Sequence, residues 1–181
     1  MRAAGTSPWQ FNKRQNRTPL MQKIAPCLWF NTNAEAAVKY YLSVFPNAKK
    51  GKVLRYDAAS AKVSGQKKGS VLTIDFTIMG MNFLAMNGGP LFKFSQATSF
   101  MIDCKSQKEV DHYWNALSKG GQQQPCGWVI DQFGVTWQVV PSKLQKLLAD
   151  SDPKKSKRVM EAMLQMQKLD IAKLEAAAKE K

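Results

Sequence analysis

The sequence predicts an α+β fold: two βαβββ modules in tandem, followed by C-terminal helices. Three features point there. Short runs alternate apolar and polar side chains, which is the period of a half-buried strand. Two longer runs, after Asn33 and after Ser106, place their apolar residues at helical spacing. The order of these runs also repeats. One constant shift lays Leu28 on Phe100, Phe30 on Ile102, Val38 on Val110, Tyr41 on Tyr113 and Phe45 on Leu117. A second, shorter shift lays Gly80 on Gly134, Phe83 on Trp137 and Met86 on Val140. Such self-similarity marks a duplicated unit.

Taken in order, residues 1–20 carry no periodicity and no acidic side chain, and are expected to form a disordered basic extension. The two-module domain is expected over residues 21–141. In the first module (about 23–87), Lys23–Phe30 is a strand, with Pro26 near its start. Asn33 is placed to cap a helix over Ala34–Phe45, and Pro46 stops it. Lys52–Tyr56 is a further strand, followed by a loop rich in Gly, Lys and Ser. Val71–Met79 and Met81–Asn87 form a hairpin around Gly80, closed by the loop signal Asn87-Gly88-Gly89-Pro90. In the second module (about 98–141), Thr98–Cys104 is a strand, Ser106 caps a helix over Gln107–Ser118, and Gly120-Gly121 ends it. Short strands follow near Gly127–Ile130 and Val135–Val140 around a turn at Asp131–Gly134. Residues 142–181 are expected to form helices packed on the domain. Ser142 caps a short one to about Ala149, and Asp152-Pro153 opens a long one carrying Val159, Met160, Met163, Leu164 and Met166.

Composition narrows the class. The chain has 181 residues, 44% of them hydrophobic, enough for one buried core. No apolar run reaches the roughly 20 residues of a membrane span. Three cysteines (Cys27, Cys104, Cys126) without a C-x-x-C pair argue against a disulfide framework or structural zinc, and for a reducing, cytoplasmic setting. The net charge of +14 is spread along the chain except between Lys49 and Lys68. There Lys49, Lys50, Lys52, Arg55, Lys62, Lys67 and Lys68 are opposed only by Asp57. Such a stretch can attract nucleic acid or an anionic small ligand. A solvated loop is the simpler reading.

Parity along the strands separates two faces. Leu28, Phe30, Phe83, Ala85, Phe100, Ile102, Trp137 and Val139 form an apolar face suited to lie under helices. Cys27, Trp29, Asn82, Leu84, Met86, Ser99, Met101, Thr136, Gln138 and Val140 form a mixed one, the composition of a ligand cavity. A second, slightly polar core would have the same composition.

A set of residues in this order resembles one superfamily. They are Pro26-Cys27-Leu28-Trp29-Phe30, Ala34-Glu35-Ala36-Ala37 with Tyr40-Tyr41, Phe45-Pro46, Asn87-Gly88-Gly89-Pro90 and Ser99-Phe100. Glu109-Val110-Asp111 with Tyr113-Trp114, Cys126-Gly127-Trp128, Asp131, Phe133-Gly134 and Trp137-Gln138 complete the set. Together they resemble the PhnB-like group, also catalogued as demethylubiquinone methyltransferase-like, of the vicinal-oxygen-chelate (glyoxalase/bleomycin-resistance/dioxygenase) superfamily. The resemblance implies two modules whose sheets curve around a cavity. It also implies that metal-dependent relatives place His and Glu ligands where this chain has Ala25, Leu84, Ala97 and Gln138. Alanine and leucine carry no donor and an amide is a weak one, so no metal and no cofactor are expected.

The remaining chemistry is sparse. His112, the only histidine, falls on the second helix as a surface or packing residue. Cys126 is either a nucleophile without an activating histidine or, more simply, a structural thiol. Asp131 is either a base or a turn-capping residue. The methyltransferase label implies an adenosylmethionine site, yet Gly88-Gly89 precedes Pro90 and opens no helix, unlike a Gly-rich cofactor turn. The reading that follows is a metal-independent small-molecule-binding protein. Its ligand-binding face is Gln138, Ser99, Trp29, Cys27, Met86, Met101 and Thr136. An enzyme on the same cavity, a lyase or a methyltransferase, is the alternative, and a nucleic-acid-associated protein the third. Expected partners are an unidentified small molecule, which the basic stretch allows to be anionic, and a second copy of the chain through the Met160, Met163, Met166 face. No membrane is expected, and nucleic acid is disfavoured for lack of aromatic residues among the basic ones.

Overall fold

A computed structural model describes residues 24–180; the expected extension over residues 1–20 lies outside the described residues. The first module contains β1 (Cys27–Phe30), α1 (Ala34–Val44), β2 (Lys49–Arg55), α2 (Ala58–Ser64), β3 (Val71–Ile78) and β4 (Met81–Asn87). The second contains β5 (Phe100–Cys104), α3 (Gln107–Ser118), β6 (Gln122–Gln123), β7 (Trp128–Ile130) and β8 (Thr136–Pro141). Each builds a four-stranded sheet of the same topology, β1-β4-β3-β2 and β5-β8-β7-β6. The first and last strands of each module run parallel, and the other pairs antiparallel. The predicted α+β class and the duplicated unit are both present.

The register refines the repeat. Cys27 pairs with Leu84 and Met101 with Gln138. Since Leu84 and Gln138 are equivalent in the repeat, Cys27 corresponds to Met101, two residues beyond the match made by sequence. Ala25 then corresponds to Ser99 rather than Ala97. A slip of two preserves strand parity, so the two faces stand.

Five local expectations need correction. The strand predicted at Lys52–Tyr56 begins at Lys49, and the predicted loop after it contains α2. That helix forms from its ends: Asp57 and Ser60 make a capping box and Gly65 closes it in the left-handed conformation, although none of its residues is buried. Asn33 does not cap α1 with its side chain; Asn87 Oδ1, from the end of β4, accepts from Ala34 N at 2.9 Å instead. Pro141 holds the N-cap position of α4 (Ser142–Leu148), and the Ser142 hydroxyl donates to the Cys104 carbonyl. The long last helix is two, α5 (Pro153–Leu164) and α6 (Ile171–Lys179), the second capped by Asp170. The break between them has a cause: Met166 and Gln167 turn their carbonyls to the amides of Cys126 and Gly127, at 2.7 Å each.

α1 and α3 lie on the apolar faces of their sheets and share one core with them, which includes Tyr41, Phe76, Trp114, Leu117 and Trp137. α4, α5 and α6 close a second cluster around Val140, Val159, Leu169 and Leu174. Burial of this much apolar surface is the main stabilising term. Among the described residues, no helix is long and apolar enough to cross a membrane.

Candidate functional site

The helix-covered face is closed. Leu28, Phe30, Phe83, Ala85, Ile102, Trp137 and Val139 are all buried, and Phe100 is half-buried. The opposite face of each sheet carries no helix of its own module and holds most of the predicted ligand-binding residues. On the first sheet Cys27 is exposed, and Trp29, Leu84 and Met86 are half-buried. On the second, Met101 is 55% exposed, Ser99 and Gln138 are half-buried, and Thr136 is buried.

Two predicted polar groups meet. Gln138 Nε2 donates to Ser99 Oγ at 2.8 Å. In the register, Met101 and Trp128 flank Gln138 on either side. With the first position moved from Ala97 to Ser99 by the register, the pair stands at the second module's counterparts of Ala25 and Leu84, with an amide and a hydroxyl engaged with each other. The equivalent positions of the first module, Ala25 and Leu84, line a depression of about 480 Å³ with Cys27, Asp75 and Asn82. Neither set fits a metal. Ala25 and Leu84 offer no donor, and Ala97 lies in an exposed turn before β5. Among the described residues, no group of three or more His, Cys, Asp or Glu side chains converges as a ligand set.

Trp29 and Thr136 lie elsewhere, lining a cleft where the two modules meet, and Cys27 borders that cleft as well as the depression. One lobe of about 390 Å³ lies between Trp29, Asn31, Phe133 and Thr136, and another of about 450 Å³ between Cys27, Thr98, Phe100 and Thr136. The connecting segment from Phe92 to Phe94 runs along both lobes. Its entry is fixed by Trp29, whose Nε1 donates to the Gly89 carbonyl at 2.9 Å. Gly88 is required beneath that indole, because a Cβ there would lie 2.2 Å from the ring. Gln138, Ser99, Met86 and Met101 line neither lobe.

The other candidates take structural roles. Asp131 is buried, and its carboxylate accepts from Tyr41 Oη, Trp137 Nε1, Phe133 N and Val135 N at 2.8–3.0 Å. Burial raises its pKa, and these four hydrogen bonds oppose the rise. Burial, reinforced by that carboxylate, pushes the Tyr41 phenol well above its ordinary value and Tyr40 to about 12. His112 Nε2 sits 2.9 Å from the Val44 carbonyl oxygen, tying α3 to the end of α1. Cys126 takes a left-handed φ of 60°, and its thiol donates to the Met163 carbonyl. The exposed Cys27 thiol is pushed up by desolvation, the wrong direction for an activated nucleophile. Gly88 and Gly89 donate to the carbonyls of Phe30 and Asn31 and lead into Pro90, so they form no cofactor-binding turn ahead of a helix.

The model of the 3-demethylubiquinone-9 3-methyltransferase family matches residues 22–140. The chain is similar to the solved structure of the PhnB protein from Bacillus cereus, with 28% identity and a TM-score of 0.59 over 66% of this chain and 99% of that one. It is also similar to a protein from Pseudomonas aeruginosa, at 21% identity and a TM-score of 0.53 over 66% and 97% of the two chains. The fosfomycin resistance protein FosX from Listeria monocytogenes, solved with Mn(II) and sulfate, matches at 15% identity and a TM-score of 0.43 over 65% and 87%. No curated protein matches.

Proposed function

The chain belongs to the 3-demethylubiquinone-9 3-methyltransferase family, the PhnB-like group of the vicinal-oxygen-chelate superfamily, and from that premise we propose that it binds a small molecule without a metal. The observation that carries this reading is the Gln138–Ser99 hydrogen bond. It fills the ligand positions of the second module with a neutral pair. An amide and a hydroxyl can orient a carbonyl or phosphate group without charging the site. Among the described residues, the Gln138 carbonyl oxygen has no partner within the chain and is an acceptor for an incoming donor.

A second copy of the chain is the cover for the open sheet faces in this reading, closing over Gln138, Ser99, Met101 and Met86. The methyltransferase name of the family does not transfer as chemistry, since neither sheet nor glycine turn supplies a site of the common adenosylmethionine type. Native mass spectrometry of protein purified from cells, before and after chelator treatment, tests the proposal. The expected result is a retained small molecule insensitive to chelation and well under one equivalent of zinc, manganese, nickel or iron. A stoichiometric metal whose removal releases the ligand overturns it. Gln138→Leu is expected to lower ligand retention and cost only about 1 kcal/mol of stability.

A further inference from the structure

The cleft at the junction of the modules has a lining that the Gln138–Ser99 face lacks. Six aromatic rings border its two lobes: Trp29, Phe30, Phe92, Phe94, Phe100 and Phe133. Among the described residues, one charged side chain stands between them, Lys93, and it borders both lobes. The other polar groups are neutral, with Asn31, Asn33 and Gln96 in one lobe, Ser95 and Thr98 in the other and Thr136 in both, and among the described residues no acid faces the cleft. Among the described residues Lys93 takes part in no ion pair; the four pairs present use other lysines.

The rings are also arranged as a holder with an open side. Phe94 packs edge-on against Phe30 at 5.2 Å and lies beside Gly134, anchoring the segment to both modules. Phe92 stands edge-on to Trp29 at 4.9 Å, yet 58% of it is exposed, and its neighbour Leu91 is 74% exposed. Among the described residues, nothing buries these large apolar side chains at the mouth of the aromatic cleft. Lobes of this size suit compounds of two or three rings.

We propose that the junction cleft binds a planar aromatic anion, its rings against Trp29 and Phe92 and its acid group on the Lys93 ammonium. The proposal rests on the small-molecule-binding reading and assigns it a ligand class and a place apart from the Gln138–Ser99 pair. Stacking surfaces supply sequence-independent affinity for any flat ring. The lone cation, unopposed in the cleft, discriminates for an anionic one, and its contribution is screened by salt.

The test uses 8-anilinonaphthalene-1-sulfonate and its uncharged analogue N-phenyl-1-naphthylamine, followed by dye fluorescence on the intact chain. One equivalent of the sulfonate is expected to bind, with affinity falling as salt is raised. Lys93→Gln is expected to weaken the sulfonate about fivefold and the neutral dye less than twofold. Phe92→Ala should weaken both. Leu164→Gln, at an exposed apolar residue on α5, should change neither and reports on adventitious surface binding. Both cleft residues are on the surface segment, so circular dichroism of each variant is expected to match the parent. Equal loss of both dyes in Lys93→Gln, or no loss in either variant, overturns the inference. If Gln138→Leu abolishes binding while the cleft variants do not, the inference falls and the binding reading stands. If the parent binds neither dye, the cleft inference falls, while chelator-insensitive retention of a cellular ligand still decides the wider reading.

Discussion

Asp131 shows how far one residue's surroundings exceed its local sequence. The turn Asp-Gln-Phe-Gly marks it as a capping residue, and its Oδ1 does accept from Phe133 N and Val135 N. Its other oxygen accepts from Tyr41 on α1, ninety positions away, and from Trp137 on β8. That joins the two modules through one buried carboxylate, a role no spacing in the sequence announces. Asp131→Asn replaces an acceptor with an NH₂ group facing the Trp137 N–H, which can only donate. The expected cost is about 2–4 kcal/mol by chemical denaturation, since a buried donor is left unpaired. The pH dependence has a definite sign. Because burial raises the folded pKa above the unfolded one, the native state takes up the proton first. Asp131 therefore adds stability as pH falls into the carboxylate range and loses it as pH rises through the folded value. The lowered carboxylates Asp111, Asp150 and Glu175 do the reverse. In Asp131→Asn the opposing contribution is gone, so stability should fall more steeply on acidification than in the parent. An unchanged slope would place the proton elsewhere.

Elements built on apolar period were legible, and those built on caps from elsewhere were not. The burial of α3 on Val110, Tyr113, Trp114 and Leu117 follows from helical spacing alone, and Ser106 accepts from Glu109 N as its position implies. α1 has the same spacing, yet its amide end is capped by Asn87 of β4, which also donates to the Val71 carbonyl at 3.0 Å. The Asn87 carbonyl in turn receives the Tyr56 hydroxyl. One buried asparagine thus ties α1, β3, β4 and the end of β2. Asn87→Ala is expected to cost about 2–3 kcal/mol and Asn33→Ala less than about 0.5, the reverse of what local capping rules give. Thermal melts of the two variants decide between them. α2 has a sequence signal in the Asp57–Ser60 box ahead of Gly65, but it lacks the apolar face that marks a helix by period. The site divided along the same line. Strand parity brought Gln138 and Ser99 together, whereas the cleft depends on a connecting segment, 88–98, whose path has no period to follow.

At the scale of the molecule, the two modules turn α1 and α3 toward each other, and their mixed sheet faces lie away from these helices, the second covered in part by the C-terminal helices at Val140. The Tyr40 hydroxyl donates to the Ala116 carbonyl and His112 reaches Val44, so α1 and α3 form the middle of one shared core. This leaves Leu84, Met86, Met101 and Trp128 on faces that no helix of their own module covers. The methionine face first suggested for pairing is mostly used otherwise: Met163 and Met166 pack into the C-terminal cluster, and only Met160 and Leu164 remain exposed. The edge strand β2 is a poor alternative, since Lys49, Lys50 and Lys52 line it and lysines deter strand addition. If a second copy is the cover, it must overcome the repulsion of +14 on each chain, so pairing should tighten as salt is raised toward physiological strength. Sedimentation equilibrium at micromolar concentration is expected to give twice the chain mass, with an interface of at least about 1,200 Å². Leu84→Lys and Met101→Lys, each a charge on an open face, should shift the chain toward monomer, while Met160→Lys should not. A parent that sediments as a monomer, or a dimer broken only by Met160→Lys, would leave the sheet faces to the ligand alone.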